Sequence, residues 1–335
     1  MNGIRLQSSG FLDAITRPEI GAWVEAFVDF ITDVFQPVFD VIRSVFQGLY
    51  DGVDLVLSGP PFWAIIIVAA LLAFVARGPV FAVGSAVGLL IIVGVEQWDN
   101  AMDSLSLVLV AGLIAIVIGI PLGILAARSK VASSIIRPLL DFMQTTPAFV
   151  YLIPALILFR IGVVPGIVAT IVFALAPAVR LTELGIRNVD REVVEAGNAF
   201  GASSWRILRQ IQLPLAMPNI MAGVNQVIML SLSMVVIAGM VGAGGLGGDV
   251  VKSLSRIDIQ LGSEAGLSVV ILAIFLDRLT ASLGGGRKQR GKRVKAAPSS
   301  PGGIRPAPAS STTTTDSTAS GEEQRTPAES PTAVR

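Results

Sequence analysis

The sequence predicts an all-α protein, a polytopic bundle of about seven transmembrane helices, and three observations support this fold class. Hydrophobic residues make up 53% of the 335 residues, charged residues only 15%, and the mean hydropathy is +0.72, which is far from the balance of a soluble domain. Long apolar runs recur along the chain and suit helices that cross a bilayer. The chain has no cysteine and no histidine, so its inventory excludes disulfides, His-based metal sites and Ser-His triads.

Residues 1–57 form the first region, and their apolar side chains follow a helical spacing. From residue 20 to residue 57 these side chains recur at three- and four-residue steps among charged ones, which predicts one or two amphipathic helices with a kink at Pro37. We expect them to lie in the membrane interface or on the bundle as a scaffold. No basic start followed by an apolar core and a cleavage site precedes them, so a cleavable signal peptide is not expected.

Seven apolar stretches are interpreted as transmembrane helices. They comprise residues 62–76, 79–95, 104–127, 138–159, 163–181, 215–240 and 264–283. The first two are separated only by Arg77 and Gly78, so they form a tight hairpin or two short spans within an N-terminal hairpin region, residues 58–100. The other five make up the core region, residues 101–283.

Positive charge indicates which ends of the spans lie in the cytoplasm. If the seven spans alternate, most arginines and lysines near their ends fall on one side, and only Arg160, Lys252 and Arg256 fall on the other beyond the N-terminal region. The loop between the fifth and sixth spans is therefore predicted to be cytoplasmic, with the N-terminus outside. Residues 284–335 combine a basic run with a stretch rich in Ser, Thr and Pro, which predicts a disordered cytoplasmic tail.

The cytoplasmic loop 183–214 contains the most specific motif of the chain. Its segment EAGNAFGASSWRILRQIQLP is polar and helix-forming between two apolar runs. Gly201 is expected to break a first short helix, Ser203 or Ser204 to cap a second one, and Pro214 to stop it. Two short helices lying across the membrane face would present one ridge to a cytoplasmic partner. On spacing alone, an ordinary connecting loop is the alternative.

The motif that begins at Glu195 and ends at Pro214 resembles the EAA-x3-G-x9-I-x-LP signature of ABC importer permeases. In that family this loop is the coupling helix, which sits in a groove of the ATP-hydrolysing subunit. The resemblance implies an ATPase-coupling loop formed by Glu195, Ala196, Gly197, Gly201, Ile211, Leu213 and Pro214. Gly197 stands where the signature has its second alanine, and we expect this change to cost the helix about 1 kcal/mol.

Residues 143–154, 213–246 and 274–280 narrow the resemblance to the permease of glycine betaine/proline-type osmoprotectant importers. The similarity extends over roughly residues 101–280. It implies a type I ABC importer permease in the cell membrane that works as a homodimer with two cytoplasmic ATPase subunits and an external substrate-binding protein. The implied substrate is a small quaternary amine, glycine betaine or a related compatible solute such as proline betaine, proline, choline or carnitine. The implied partners are thus other proteins, the substrate and membrane lipid, with no nucleic acid.

The chain is not expected to be an enzyme or to bind a cofactor. It lacks a P-loop of the form G-x-x-x-x-G-K-[ST], so ATP and Mg would be used by the partner ATPase. Residues 242–247 formally satisfy the G-x-G-x-x-G dinucleotide pattern, but they follow an apolar span instead of a strand, which favours a Gly hinge or a close-packed helix end. No catalytic residue and no metal ligand is assigned.

Polar side chains inside apolar spans are the candidates for a transport pathway, because they are costly in a membrane unless they are paired or face a cavity. The candidates are Gln144, Thr145 and Thr146 in the fourth span and Asn225, Ser231 and Ser233 in the sixth. Hydrogen bonding between helices is the alternative for each cluster. At the level of function, the alternatives are an ABC permease for amino acids and, more remotely, a membrane scaffold that does not transport.

Overall fold

The computed structural model describes residues 20–284, and this part of the chain consists of helices joined by short connections, with no strand among them. The first six helices are α1 (Ile20–Ser58), α2 (Phe62–Arg77), α3 (Pro79–Gly94), α4 (Trp98–Arg128), α5 (Lys130–Thr145) and α6 (Ala148–Phe159). They are followed by α7 (Val163–Arg187), α8 (Arg191–Ala199), α9 (Ser204–Ile207), a π-helical turn (Leu208–Gln212), α10 (Leu213–Gly239), α11 (Gly245–Arg256) and α12 (Ile259–Gly284). The predicted all-α fold class is confirmed, while the predicted tail lies outside the described residues.

Three long helices, α4, α7 and α10, form the centre of the bundle. Small residues allow their backbones to approach closely. A Cβ atom added to Gly119 of α4 would lie 2.5 Å from Ala178 Cβ of α7, and one added to Gly223 of α10 would lie 3.2 Å from Leu181 Cβ. Around this centre the largest apolar core also takes in side chains of α1, α2, α3, α11 and α12.

The number of helices able to cross a membrane is close to the predicted count of about seven. Four are long and apolar enough, namely Trp98–Arg128, Val163–Arg187, Ser204–Gly239 and Ile259–Ser282, and the number rises to six if each of two bent pairs is one span. The shorter helix α3 is apolar as well. The N-terminal amphipathic segment is a single helix that continues through Pro37, so the first of the two predicted alternatives is correct.

The predicted fourth span, residues 138–159, is not a single helix. Helices α5 and α6 meet at an angle of 98°. The break falls at Thr146 and Pro147, where the backbone is extended, because a proline has no N–H to donate and disfavours a helical residue before it. The result is a broken span or a re-entrant segment.

Candidate coupling site

Two short helices, α8 and α9, form a ridge at one end of the bundle, and the predicted order of helix, Gly turn and helix is confirmed. The Asp190 carboxylate caps α8 by accepting a hydrogen bond from the Glu192 N–H at 3.0 Å. The Ser203 hydroxyl oxygen caps α9 by accepting from the Arg206 N–H at 3.4 Å, so Ser203 is the cap among the two predicted serines. The loop is shorter than the predicted range 183–214, because α7 continues to Arg187.

The turn between the two helices follows a defined hydrogen-bond pattern. Gly201 has a φ of +75°; its N–H donates to the Asn198 carbonyl at 2.9 Å, and the Ala202 N–H donates to the Gly197 carbonyl at 3.1 Å. These two bonds and a left-handed residue one position past the cap constitute a Schellman motif. The glycine of the signature is therefore required for its conformation, since other residues adopt this region at a cost.

Gly197, the departure from the signature, lies on the inner side of the ridge. A Cβ atom placed there would be 2.9 Å from Ile211 Cδ1 and 3.4 Å from Ile207 Cγ1. The absent methyl group thus lets the two isoleucines pack against α8. This contact offsets part of the loss of helix propensity that the sequence predicts for a glycine.

The outer side of the ridge has no partner within the described residues. Helix α8 contains no buried residue, Glu195 and Ala196 are exposed, and the aromatic side chains of Phe200 and Trp205 are 91% and 60% exposed. Exposed aromatic residues beside charged ones are typical of protein interfaces. The ridge therefore has the character of a docking surface.

The end of the coupling segment differs from the prediction at Pro214, which does not stop a helix. Pro214 lies in the first turn of α10, directly after the π-helical turn Leu208–Gln212. A proline is tolerated at this position because the N–H groups of a first turn have no partner in the helix. Consequently, the predicted coupling residues Ile211 and Leu213 lie where the ridge continues into α10, a helix of the bundle core.

A buried carboxylate that the sequence analysis did not single out lies at the base of the ridge. Glu183 of α7, whose side chain is 4% exposed, accepts hydrogen bonds from the Ser133 hydroxyl at 2.8 Å and from Arg137 Nη2 at 2.9 Å. Arg187 Nε lies 2.8 Å from the same carboxylate, and Arg187 Nη2 donates to the Ala126 carbonyl at 2.9 Å. The Glu183 carboxylate thus joins α7 to α5, and Arg187 extends the connection to α4, just before α8 begins. The signal in the sequence was a glutamate between two arginines, Arg180 and Arg187, directly after the predicted fifth span.

The candidate pathway residues of the fourth span lie at the break between α5 and α6. The hydroxyl groups of Thr145 and Thr146 both donate to the Phe142 carbonyl, at 3.2 and 2.9 Å, and Gln144 is exposed. These bonds cap the end of α5. They leave the amide of Gln144 as the polar group of this cluster that faces outward.

The candidate residues of the sixth span serve different purposes in the structure. Asn225 of α10 donates to Asp277 Oδ1 of α12 at 3.1 Å and accepts from the Thr280 hydroxyl, so it joins two helices. Ser231 is fully buried, and its hydroxyl has no hydrogen-bond partner among the described residues. Ser233 is exposed and donates to the Met229 carbonyl of its own helix at 3.0 Å. Gln144, Thr145 and Ser233 therefore combine exposure with a position in the predicted spans.

The glycine-rich segment after α10 is a close-packed helix end, one of the two predicted alternatives. A Cβ atom on Gly247 would overlap the Val235 carbonyl oxygen, and one on Gly239 would overlap Gly247. The Leu246 N–H donates to the Ser104 hydroxyl at 2.9 Å. Helices α10, α11 and α4 thus meet at backbone distance.

The class of protein that this fold and ridge define is the membrane-spanning subunit of a transporter that docks a separate cytoplasmic partner. The chain belongs to the family described as the binding-protein-dependent transport system inner membrane component, whose model matches residues 119–284. It is therefore a multi-pass inner-membrane permease subunit of an ABC importer and not an enzyme, with ATP hydrolysis in a separate subunit and substrate delivery by a binding protein.

Permeases of known systems are similar to this chain over most of their length. The chain is 50% identical over 274 residues to the glycine betaine/proline betaine transport system permease protein ProW of Escherichia coli, covering 82% of this chain and 77% of that one. It is 47% identical over 265 residues to the glycine betaine/carnitine transport permease protein GbuB of Listeria monocytogenes, covering 78% and 94%. A solved structure of the MetNI methionine ABC transporter shares the fold at a TM-score of 0.51 and 22% identity, covering 56% of this chain and 94% of that one.

Proposed function

We propose that this chain is the permease for glycine betaine or a related compatible solute and that the α8–α9 ridge transmits ATP-driven motion to its bundle. The observation that carries the proposal is the exposed ridge, whose Schellman glycine, Gly201, occupies the glycine position of the coupling signature. The names of the relatives support the substrate class, since they transport glycine betaine with proline betaine or carnitine.

The assembly follows from what one chain supplies. Each chain contributes a single coupling loop, Glu195, Ala196, Gly197, Gly201, Ile211, Leu213 and Pro214, and no P-loop. Two ATPase subunits that close on each other would need two such loops, hence two copies of the permease and no cofactor on this chain. The ridge and the tail, residues 284–335, would face the cytoplasm and the N-terminus the outside, in keeping with the distribution of positive charge.

Motion of the ridge would reach the bundle through two helices, α10 and α7. One route is the continuous passage through Ile211 and Leu213 into α10. The other is the Glu183 carboxylate, which ties the end of α7 to α5. Rocking of these helices would change access to a pathway near Gln144 and Ser233, two exposed members of the polar clusters. Thr145, Thr146, Asn225 and Ser231 would support that pathway through hydrogen bonds and packing.

The test is uptake of labelled glycine betaine at high external salt, with the ATPase and binding protein co-expressed in cells that lack their own osmoprotectant importers. We expect uptake in the wild type and loss of uptake in a variant with changes at both Glu195 and Gly201. Arg256→Gln is the control and should show normal uptake, because its exposed side chain lies on α11, away from the ridge. Uptake by the double variant would refute the coupling assignment.

Competition by unlabelled solutes tests the substrate separately. Inhibition by proline betaine or carnitine would support the proposed class. Inhibition by amino acids alone would replace it with the alternative, an amino-acid permease. Failure of the chain to associate with the ATPase would overturn both assignments.

A further inference from the structure

A groove of about 510 Å³ lies between α3 and α12 on the outside of the bundle. Its sides are apolar, with Phe81 and Ile274 among the residues that line it, and two arginines, Arg77 and Arg278, belong to its lining. None of the residues used in the coupling site or the candidate pathway lines this groove. It is therefore a separate feature of the molecule.

Packing and glycine give the groove its shape. Helices α3 and α12 touch where a Cβ atom on Gly88 would lie 2.9 Å from Ile271 Cγ2, and the rings of Phe81 and Phe275 stack with centroids 6.3 Å apart. Between these two contacts, a Cβ atom on Gly84 would meet no atom within 4 Å. The space is thus left open by a missing side chain and bounded by rigid aromatic rings.

The two arginines bring positive charge to one end of this apolar space. Arg77 is the last residue of α2 and Arg278 lies near the end of α12, so both mark the side that the sequence predicts to be cytoplasmic. Arg278 Nε approaches the carboxylate of Asp277 only to 3.9 Å, because Asp277 Oδ1 accepts a hydrogen bond from Asn225 of α10. Arg77 has no ion pair among residues 20–284 and is exposed. No carboxylate lines the groove.

One polar side chain lies deeper in the groove without a partner. Ser85 is 7% exposed, and its hydroxyl makes no hydrogen bond to any described residue. A buried hydroxyl without a hydrogen-bond partner is destabilising, because nothing replaces the bonds it made before burial. Because Ser85 lines the groove, a ligand with an acceptor oxygen at that depth would satisfy it.

We propose that this groove binds one anionic phospholipid of the cytoplasmic leaflet. The phosphate would lie between Arg77 and Arg278, which can donate several hydrogen bonds to it. The glycerol would pass Phe81 and Phe275, an ester carbonyl would accept from Ser85, and an acyl chain would continue along Ile271. The position at the membrane surface suits a lipid, since anionic headgroups gather where basic side chains emerge from the bilayer. A phospholipid supplies the charge, the acceptor and the apolar chain in one molecule. The inference does not depend on the transported substrate.

Native mass spectrometry of the purified full transporter with added phosphatidylglycerol or phosphatidylcholine tests the proposal. We expect the wild type to retain phosphatidylglycerol in preference to phosphatidylcholine. The double variant Arg77→Gln, Arg278→Gln should bind phosphatidylglycerol about tenfold more weakly, as expected for the loss of charged hydrogen bonds. Arg256→Gln, which removes an exposed arginine at the end of α11, should bind it like the wild type.

A second measurement identifies what occupies the groove without relying on affinity. The chain contains no cysteine, so Gly84→Cys places a unique thiol for a spin label in open space. We expect the label to lose mobility in nanodiscs of phosphatidylglycerol and to keep it in phosphatidylcholine, with or without inorganic phosphate. Equal binding of both lipids, an unchanged double variant, immobilisation by phosphate alone, or a disulfide between two copies through Cys at this position would each overturn the proposal.

Discussion

Glycines are needed both in the ridge and at the contact between α10 and α11, but for different physical reasons. At the ridge, Gly201 adopts a φ of +75° with open space around it, since a Cβ atom there would meet no atom within 4 Å. At the α10–α11 contact, a Cβ atom on Gly247 would overlap the carbonyl oxygen of Val235. The first glycine permits a backbone conformation and the second permits contact between helices. The surroundings of Gly201 therefore leave room for a side chain, whereas the α10–α11 contact does not.

The largest effect is expected at the close-packed end. Gly247→Ala places a methyl group against the backbone of α10, which cannot yield as a side chain would, so we expect the free energy of unfolding to fall by about 3 kcal/mol. Thermal unfolding of the detergent-purified protein measures this loss. Gly248→Ala is the matched control, because a Cβ atom there meets nothing within 4 Å and alanine favours a helix over glycine. Equal melting temperatures for the two variants would show that the helices can separate without cost.

The next effect concerns the carboxylate that connects the ridge to the bundle. Glu183→Gln removes the negative charge between Arg137 and Arg187, and we expect a loss of about 2 kcal/mol in the free energy of unfolding, because charged hydrogen bonds to a buried group are among the stronger ones. Asp141→Asn is the control, since its ion pair with Arg180 is exposed on both sides and contributes less than about 1 kcal/mol.

Transport measurements distinguish a role of Glu183 in coupling the ridge to the bundle from a role in stability alone. The ratio of glycine betaine transported to ATP hydrolysed should fall in Glu183→Gln even at a temperature where the protein is fully folded, because the connection between α7 and α5 is weakened. An unchanged ratio in folded protein would limit Glu183 to stability.

The ridge and the bundle also differ in how far the sequence predicts them. Helix caps, the Gly201 turn and the helical spacing of apolar residues are patterns among neighbouring residues. The two short helices of the ridge and most of the other helices were therefore predicted correctly. Pro214 was misread because proline marks both ends of helices, and here it begins one. The Glu183 connection joins residues 46 and 50 positions apart in the chain, and no local spacing encodes such a pairing. The packing of Gly247 against Val235 is closer in sequence, but it depends on how tightly α10 and α11 fold against each other, which residue spacing does not give.

The ridge itself should show a smaller loss of stability with a larger loss of function. Gly201→Ala forces alanine into the left-handed region, at a cost of about 1 kcal/mol, and tilts α8 against α9. We expect ATP hydrolysis to continue while glycine betaine uptake falls. Gly201→Asn is the conservative control, because asparagine adopts this conformation more readily. If the alanine variant transports as well as the asparagine variant, the turn is not what couples the two subunits.

The smallest effect on stability is expected for a change at Ser233. This variant distinguishes a polar residue of α10 that lines the transport pathway from one that only packs between helices. Ser233 is exposed and its hydroxyl bonds only to the Met229 carbonyl of its own helix, so Ser233→Ala should change the free energy of unfolding by less than about 0.5 kcal/mol. Asn225→Ala, in contrast, removes the contacts to α12 and should cost about 1 kcal/mol. A raised KM for uptake in Ser233→Ala, with an unchanged melting temperature, would place this serine beside the substrate. An unchanged KM would remove it from the pathway and leave Gln144 and Thr145, at the break between α5 and α6, as the remaining exposed candidates.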